Sequence, residues 1–391
     1  MDRALNPYAP GSGLKPPAME GRSAEVETFS IMIQRAEHGL HNRGMVLSGL
    51  RGVGKTVLLN HLRSTGEEAG WVTVYLEGKT AESGQTALQT RLARELITAA
   101  RRLNKPSMGQ RWKAALGSIA SFSMSVGVAG ASLGVDTRTG RADTGQIAID
   151  LEELIEDISL AMQDEHKGFA MFIDEMQDLD DGLLSALIAA QHAAGQRGWP
   201  FYIIGAGLPN LPSILSGSRS YAERLFDYRR IGPLDPDAAS AALSRPALTF
   251  NAAYTSDALD LLVDAAEGYP YFLQEYGRSI WDLAPAPLFT ATDAELAVDA
   301  GMAHLDTGFF PSRWDRATKS ERNYLRAMSD DGAKGSSTTE IARRLETKPS
   351  SLAAARAQLL AKGLIYSPDH GKIAFTVPGM ADYIQRQHND H

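Results

Sequence analysis

The chain has 391 residues, enough for two or three domains, and its 43% hydrophobic and 22% charged content excludes a disordered or fibrous protein. Cysteine is absent, which excludes disulfides, thiolate metal sites, iron–sulfur clusters and thiol catalysis and fits a reducing cytoplasm. The net charge of −8 is uneven: positions 317–391 carry 11 basic and 8 acidic residues, or +3, so any contact with nucleic acid is expected there and not across the chain at large.

Met1 to Gly13 lacks an apolar stretch, so no secretory signal is expected, and Ala114–Val135 is too interrupted by Ser and Gly to span a membrane. Residues 1–20 are rich in Pro and Gly and read as an extended arm. A helix follows from Ser23, with Val26, Phe29, Ile33 and Ala36 at helical spacing. Gly44–Ser48 predicts a short strand, Thr56–Thr65 a helix, Trp71–Leu76 a second strand and Gln85–Leu103 a helix. Within 104–146, Phe122, Met124, Val126 and Val128 alternate with small residues. The phase flips after Ala129-Gly130 to Ala131, Leu133 and Val135, which predicts a β-hairpin insertion, packed on the core or offered to a partner. Ile147–Gln163 predicts a helix, Gly168–Ile173 a buried strand, Leu183–Ala194 a helix and Trp199–Gly205 another buried strand. Strands alternating with helices give an α/β fold built on a parallel sheet. After Pro233 the strands are expected to stop, and helices are predicted at Asp237–Ser244, Ser256–Glu267, Tyr271–Leu283 and Ala291–Gly308.

Gly49-Leu50-Arg51-Gly52-Val53-Gly54-Lys55-Thr56 matches GxxxxGK(S/T), between a predicted strand and a predicted helix. Glycines let the loop turn its N–H groups inward on phosphate oxygens, and the helix start adds its positive dipole end. Lys55 is placed to meet the β- and γ-phosphates, and the Thr56 hydroxyl to ligate Mg2+. The strand Phe169–Ile173 ends in Asp174-Glu175, which a parallel sheet brings beside that loop. Asp174 is expected to hold Mg2+ and Glu175 to polarise the attacking water; a helix cap is the alternative for this acidic pair.

With these motifs in place, the chain resembles the AAA+ P-loop ATPases, in the branch of origin-recognition and Cdc6-like initiators, archaeal-type ATPases and STAND signalling ATPases. The resemblance implies an arm and first helix at 1–43, an ATPase core at 44–235, a helical lid at 236–316 and a winged helix-turn-helix at 317–391. It implies ATP or ADP with Mg2+ as cofactors. Asn6-Pro7-Tyr8 through Gly21-Arg22 resembles the arm that contacts adenine, which makes Gly21 and Arg22 candidate nucleotide contacts. Ser220–Phe226 resembles the segment bearing an arginine finger. Arg224 is the first candidate and Arg219 the second, with a core-surface ion pair as the alternative. Gly268-Tyr269-Pro270 resembles the GxP motif, with Tyr269 and Pro270 near nucleotide; a plain helix start is the alternative. Two departures imply slow or partner-stimulated hydrolysis. Gly205-Ala206-Gly207 stands where the family carries a polar sensor, with Asn210 further on, and no lid arginine follows Gly268.

In the last unit, helices are predicted at Lys319–Met328, at Glu340–Leu345 capped by Thr338 or Thr339, and from Pro349 to about Lys362. Leu364–Tyr366 and Lys372–Phe375 pair as a wing. For double-stranded DNA, Lys348, Ser350, Ser351 and Arg356 would enter the groove, and Arg343, Arg344 and Lys372 would touch phosphate. A partner protein or a nucleotide-dependent homo-oligomer is the other use of such a unit. The sequence thus reads as an ATP-driven switch; the alternative is a non-hydrolysing, ADP-holding DNA-binding or scaffold protein.

Overall fold

The computed structural model describes all residues except 12, 14, 15, 79–84, 104–108, 129–139, 333, 334, 370, 390 and 391. After the arm come α1 (Ser23–Glu37), β1 (Gly44–Ser48), α2 (Lys55–Glu68), β2 (Val72–Glu77), α3 (Gln85–Leu103), α4 (Gln110–Ser125), α5 (Ile147–Asp164), β3 (Phe169–Asp174), α6 (Asp181–Arg197), β4 (Phe201–Gly207), α7 (Leu211–Ser218), α8 (Ala222–Leu225) and β5 (Phe226–Arg230). The five strands form one parallel sheet in the order β2-β3-β4-β1-β5. This is the α/β P-loop NTPase fold. Strands β1, β3 and β4 are buried along their whole length, because helices cover both faces. Phe29, Leu58, Leu62, Phe172 and Tyr202 pack on the α1–α2 face. Leu96, Trp112, Ile155, Met171 and Ile203 pack on the face of α3 to α6.

Three expectations are corrected here. Phe122 to Val128 are not the first arm of a hairpin: Phe122–Ser125 close the helix α4 and Val126 caps it; the second arm falls on 131–135, outside the described residues. Trp112, Ala115, Leu116, Ile119 and Phe122 share one helical face, and this longer register overrides the short alternation at its end. Ser118, Ser121 and Ser123 are buried along the same helix, and the Ser118 hydroxyl donates to Asp157 on α5. The strand β5, on the other hand, carried no sequence signal. It is an edge strand whose Asp227, Tyr228, Arg229 and Arg230 are partly exposed, so it lacks an apolar run. Strands also do not stop at Pro233, as the pair described next shows.

The next part is helical: α9 (Pro236–Thr249), β6 (Ala253–Tyr254), α10 (Ser256–Ala266), α11 (Pro270–Leu283), β7 (Leu288–Phe289) and α12 (Ala291–His304), with β6 and β7 as a short parallel pair. One π-turn, Leu305–Phe309, leads to α13 (Pro311–Trp314). The chain ends in α14 (Lys319–Ser329), β8 (Ser336–Ser337), α15 (Thr338–Arg344), a 3-10 turn at Pro349–Leu352, α16 (Ala353–Ala361), β9 (Ile365–Tyr366), β10 (Lys372–Phe375) and α17 (Met380–Asn389). The strands β8, β10 and β9 form an antiparallel sheet beside these helices. The cap of α15 is Ser337, whose hydroxyl accepts from Glu340 N at 3.1 Å, one residue before the expected Thr338. A single hydrophobic cluster runs from the α1–α2 face of the sheet through Tyr276 and Phe310 to Tyr324 and Tyr383.

The arm is fastened to the helical part. Tyr8 is buried; its hydroxyl donates to Leu243 O and lies 2.7 Å from Tyr254 Oη. Asn6 Nδ2 donates to Arg278 O at 3.1 Å and to Asp282 Oδ1 at 2.9 Å, and Trp281 Nε1 donates to Asp2 O at 2.8 Å. Gly277 lets the Tyr8 ring approach: a Cβ there would stand 2.6 Å from it.

Candidate functional site

The loop between β1 and α2 closes over its own lysine. Gly52 and Gly54 take φ of 84° and 89°, which side chains with a Cβ rarely adopt. Gly49 lies so close to the chain leaving β5 that a Cβ would stand 2.1 Å from Ile231 O. Lys55 is only 6% exposed, and its Nζ donates to Gly49 O at 2.9 Å and Leu50 O at 2.8 Å. Burial pushes its ammonium down to about 8, against the pull of Glu175 and Asp174.

The second half comes from β3, two strands away across β4. Thr56 Oγ1 donates to Asp174 Oδ2 at 2.6 Å, and Tyr75 Oη, on neighbouring β2, donates to the same oxygen at 3.5 Å. Burial raises the Asp174 carboxyl above its ordinary value, while the Thr56 hydroxyl opposes this. Glu175 takes a left-handed φ of 45° as the chain leaves β3, and its N–H donates to Asp174 Oδ1 at 2.9 Å. Such a conformation in a non-glycine residue persists only where its surroundings impose it. Two groups hold the Glu175 carboxylate: Gln177 Nε2 donates to it at 2.6 Å, and Arg51 Nη2 lies 3.8 Å away.

A cavity of about 360 Å³ opens on this loop, lined by Arg51 through Thr56 and by Glu175. The arm adds Ala9, Pro10 and Arg22, the lid Pro270 and Tyr271, and the segment after it Phe309 and Arg313. The donor set fits a magnesium nucleotide. It offers a glycine-curled loop at a helix start, a buried ammonium, a hydroxyl–carboxylate pair suited to a divalent ion, and a carboxylate for water. Arg51 and Arg313 both line the cavity and bring positive charge to it, and neither Nε has a hydrogen-bond partner among the described residues.

The remaining candidate residues divide. Arg22 lines the cavity, with its guanidinium donating to Val53 O at 2.9 Å and Gly232 O at 2.6 Å, so it clamps the loop to the chain after β5. Gly21 is not at the cavity wall: a Cβ there would meet Leu234 at 2.9 Å. Pro270 lies against the loop, its ring 4.0 Å from a Cβ built on Gly54, whereas Tyr269 is buried against Phe272. With Pro270 as the first helical residue, Tyr271 and not Tyr269 turns to the loop, and its N–H donates to Gly52 O at 3.4 Å. Arg224 precedes β5, at the end of the sheet away from the phosphate loop, and lines a separate cavity of about 240 Å³ with His41, Arg43 and Gln191. Arg219 donates to Ser185 Oγ at 2.8 Å. Asn210 is the residue before α7 and its side chain makes no cap bond.

Among the residues considered for DNA, Lys348, Ser350, Ser351 and Lys372 are exposed. Arg356 is only partly exposed: its Nε is buried and its charge lies near Tyr324. Arg344 is spent inside the unit, with two bonds to Asp331 at 2.7 and 2.6 Å and one to Ala327 O, and Arg343 pairs with Glu340 at 2.6 Å.

Sequence reasoning missed Gln177, Tyr271 and Arg313. Gln177 bridges two strand ends, donating to Glu175 and accepting from Leu208 N at 3.1 Å. Its place is made by Gly207, where a Cβ would stand 2.3 Å from Gln177 Oε1. The glycine read as a missing polar residue is therefore the space that a glutamine from the next strand fills.

Residues 20–204 match the model of the family described as AAA ATPase domain, and residues 307–384 match a domain family of unknown function. No curated protein matches the chain. Among solved structures, a Walker-type ATPase of Pyrococcus abyssi is similar at 15% identity and a TM-score of 0.61, over 97% of this chain and 99% of that one. The Aeropyrum pernix ORC1 protein in complex with DNA gives 15% identity and a TM-score of 0.49, over 99% and 96%. The Thermotoga maritima RuvB Holliday junction branch migration motor gives 15% and 0.45, over 93% and 96%. The likeness to the Pyrococcus protein is one of fold; the other two superpose too loosely to carry an argument.

Proposed function

We propose that the chain is an ATP-dependent molecular switch: it binds ATP and Mg2+ at the loop 49–56, hydrolyses it slowly or on partner stimulation, and passes the difference between ATP and ADP to its C-terminal unit. One observation carries this reading. Lys55, Thr56 and Glu175 line one cavity, with Asp174 behind Thr56 as its hydrogen-bond partner, and the arm, the lid and the segment leading to the C-terminal unit line it too. In it, Lys55 and the loop N–H groups hold the β- and γ-phosphates, Thr56 and Asp174 hold Mg2+, and Glu175 orients the water. Mg2+ supplies charge neutralisation for the transferring phosphoryl group. The working divisions are 1–43, 44–235, 236–316 and 317–391.

The C-terminal unit, with α14 to α16 and the β9–β10 wing, is read as a winged helix. Its candidate DNA face is narrower than the sequence implied and consists of Lys348, Ser350, Ser351 and Lys372; a partner protein is the other docking choice. Arg224 is kept as a finger only for a second copy's site in a nucleotide-dependent homo-oligomer. No helix among the described residues is long and apolar enough to cross a membrane, and the cysteine-free composition fits the cytoplasm.

The contact of Arg51 with the Glu175 carboxylate at 3.8 Å favours a second reading, a non-hydrolysing chain that holds ADP. Turnover decides between them. Lys55→Ala should abolish nucleotide binding by calorimetry. Glu175→Gln should keep ATP bound and lose turnover by at least about 100-fold, each measured with and without duplex DNA. Wild-type chain that binds ADP but releases no phosphate from ATP under either condition establishes the second reading.

A further inference from the structure

Arg313 belongs to α13, outside the core and the lid helices that the sequence singled out, yet its side chain lines the same cavity as Lys55 and Glu175. Its guanidinium lies 3.9 Å over the Phe309 ring and Nη1 donates to Phe309 O at 2.7 Å. Its Nε is buried without a partner, and among the described residues no carboxylate pairs with it. Burial pulls it down to about 10, and the charges of Arg51 and Arg316 add to that pull. Arg51 has a similar character: its Nε is buried and unpartnered among the described residues, and its charge is met by Glu175 at 3.8 Å and, less directly, by Asp178.

Two half-buried guanidinium groups lining one cavity repel each other, and a setting less polar than water sharpens the repulsion. A dianionic phosphate oxygen set between them removes the conflict and gives each planar fork the partner it lacks. Arg51 stands beside Glu175, the carboxylate read as orienting water, so a phosphate held here would be the one attacked.

The two arginines also sit on either side of a seam. Arg51 N–H donates to Thr376 O at 3.0 Å, and a Cβ on Gly363 would stand 2.8 Å from Arg51 Nη2, so the C-terminal unit rests directly on the phosphate loop. Arg313 lies just before that unit and Arg51 within the loop.

We infer that Arg313 and Arg51 together bind the terminal phosphate of the nucleotide, so that a triphosphate, and not a diphosphate, clamps the C-terminal unit onto the phosphate loop. This rests on the ATP reading above. Arg51 would exchange its loose Glu175 partner for phosphate, which frees that carboxylate for water.

The test uses the full chain with Mg2+, and calorimetric Kd values for ADP and for the non-hydrolysable imido analogue of ATP. Arg313→Ala should weaken the analogue by about 10- to 100-fold and ADP by less than about threefold. Arg313→Met keeps the stem on Phe309 without the fork and should behave the same if the alanine variant is destabilised. Arg313→Lys should recover part of the loss. Hydrogen exchange supplies a second readout: the analogue should slow exchange at 49–55 and 371–377 in wild type and fail to do so in Arg313→Met. Equal affinity losses for both nucleotides, or none, overturn the inference while wild-type binding keeps the ATP reading. Wild-type chain that binds neither nucleotide overturns both.

Discussion

Gln177 shows how one side chain can tie two parts of a candidate site together and stay silent in the sequence. It follows the acidic pair by two residues, in a 3-10 turn at Met176–Asp178, and joins Glu175 to the end of β4. Gln177→Leu removes both bonds with little change in volume. Turnover should fall by about 10- to 100-fold while nucleotide affinity stays within about twofold, because the phosphate loop is untouched. Stopped-time phosphate release set against calorimetric binding separates the two effects. The legible residues were those whose chemistry fixes their spacing: Gly49 to Thr56 and the Asp174-Glu175 pair lie where the motif puts them. Arg313 was not legible, because nothing in local sequence ties a residue after the lid to a loop near the N-terminus; only packing brings them together. Tyr269 was misplaced by helix phase, since Pro270 starts α11 and turns Tyr271 toward the loop.

The same contrast holds for elements. Buried strands such as Phe169–Asp174 announce themselves as apolar runs because both of their faces are covered. The edge strand β5 needs no such run and left no trace, and the end of α4 imitated alternation because serines and glycines separate its apolar residues. In the C-terminal unit α14 to α16 and the β9–β10 pair lie near the expected positions, but some of its charges are engaged within the unit. Arg344 holds Asp331 with two bonds and keeps its carboxyl below the usual range. A carboxyl lowered on folding stabilises the native state above its unfolded pKa, and this is lost as pH falls through the lowered value. Asp331→Asn should therefore cost roughly 1 kcal/mol at pH 7 and make stability less steep as pH falls below the ordinary carboxylate range of about 4. Urea unfolding across that range reads both.

At the level of the whole molecule, the parallel sheet sorts its arginines by end. The phosphate loop lies at the C-terminal ends of β1 and β3, whereas Arg224 enters β5 at its opposite end. Any action of Arg224 on phosphate must be on another copy. Arg224→Ala should leave nucleotide affinity of the dilute chain unchanged within about twofold, and should abolish any rise of specific ATPase activity with protein concentration. Turnover measured over a hundredfold concentration range checks this; a wild-type rate that is flat with concentration removes Arg224 from catalysis.

The Arg51–Thr376 hydrogen bond also bears on how the protein is made. Residue 376 leaves the ribosome long after residue 51, so the phosphate turn stays without this brace until about 320 further residues have been made. A premature stop codon downstream of the lid would leave every residue of the turn encoded and still deprive it of that support, and a nascent chain stalled there should capture nucleotide less well than one extended past residue 376.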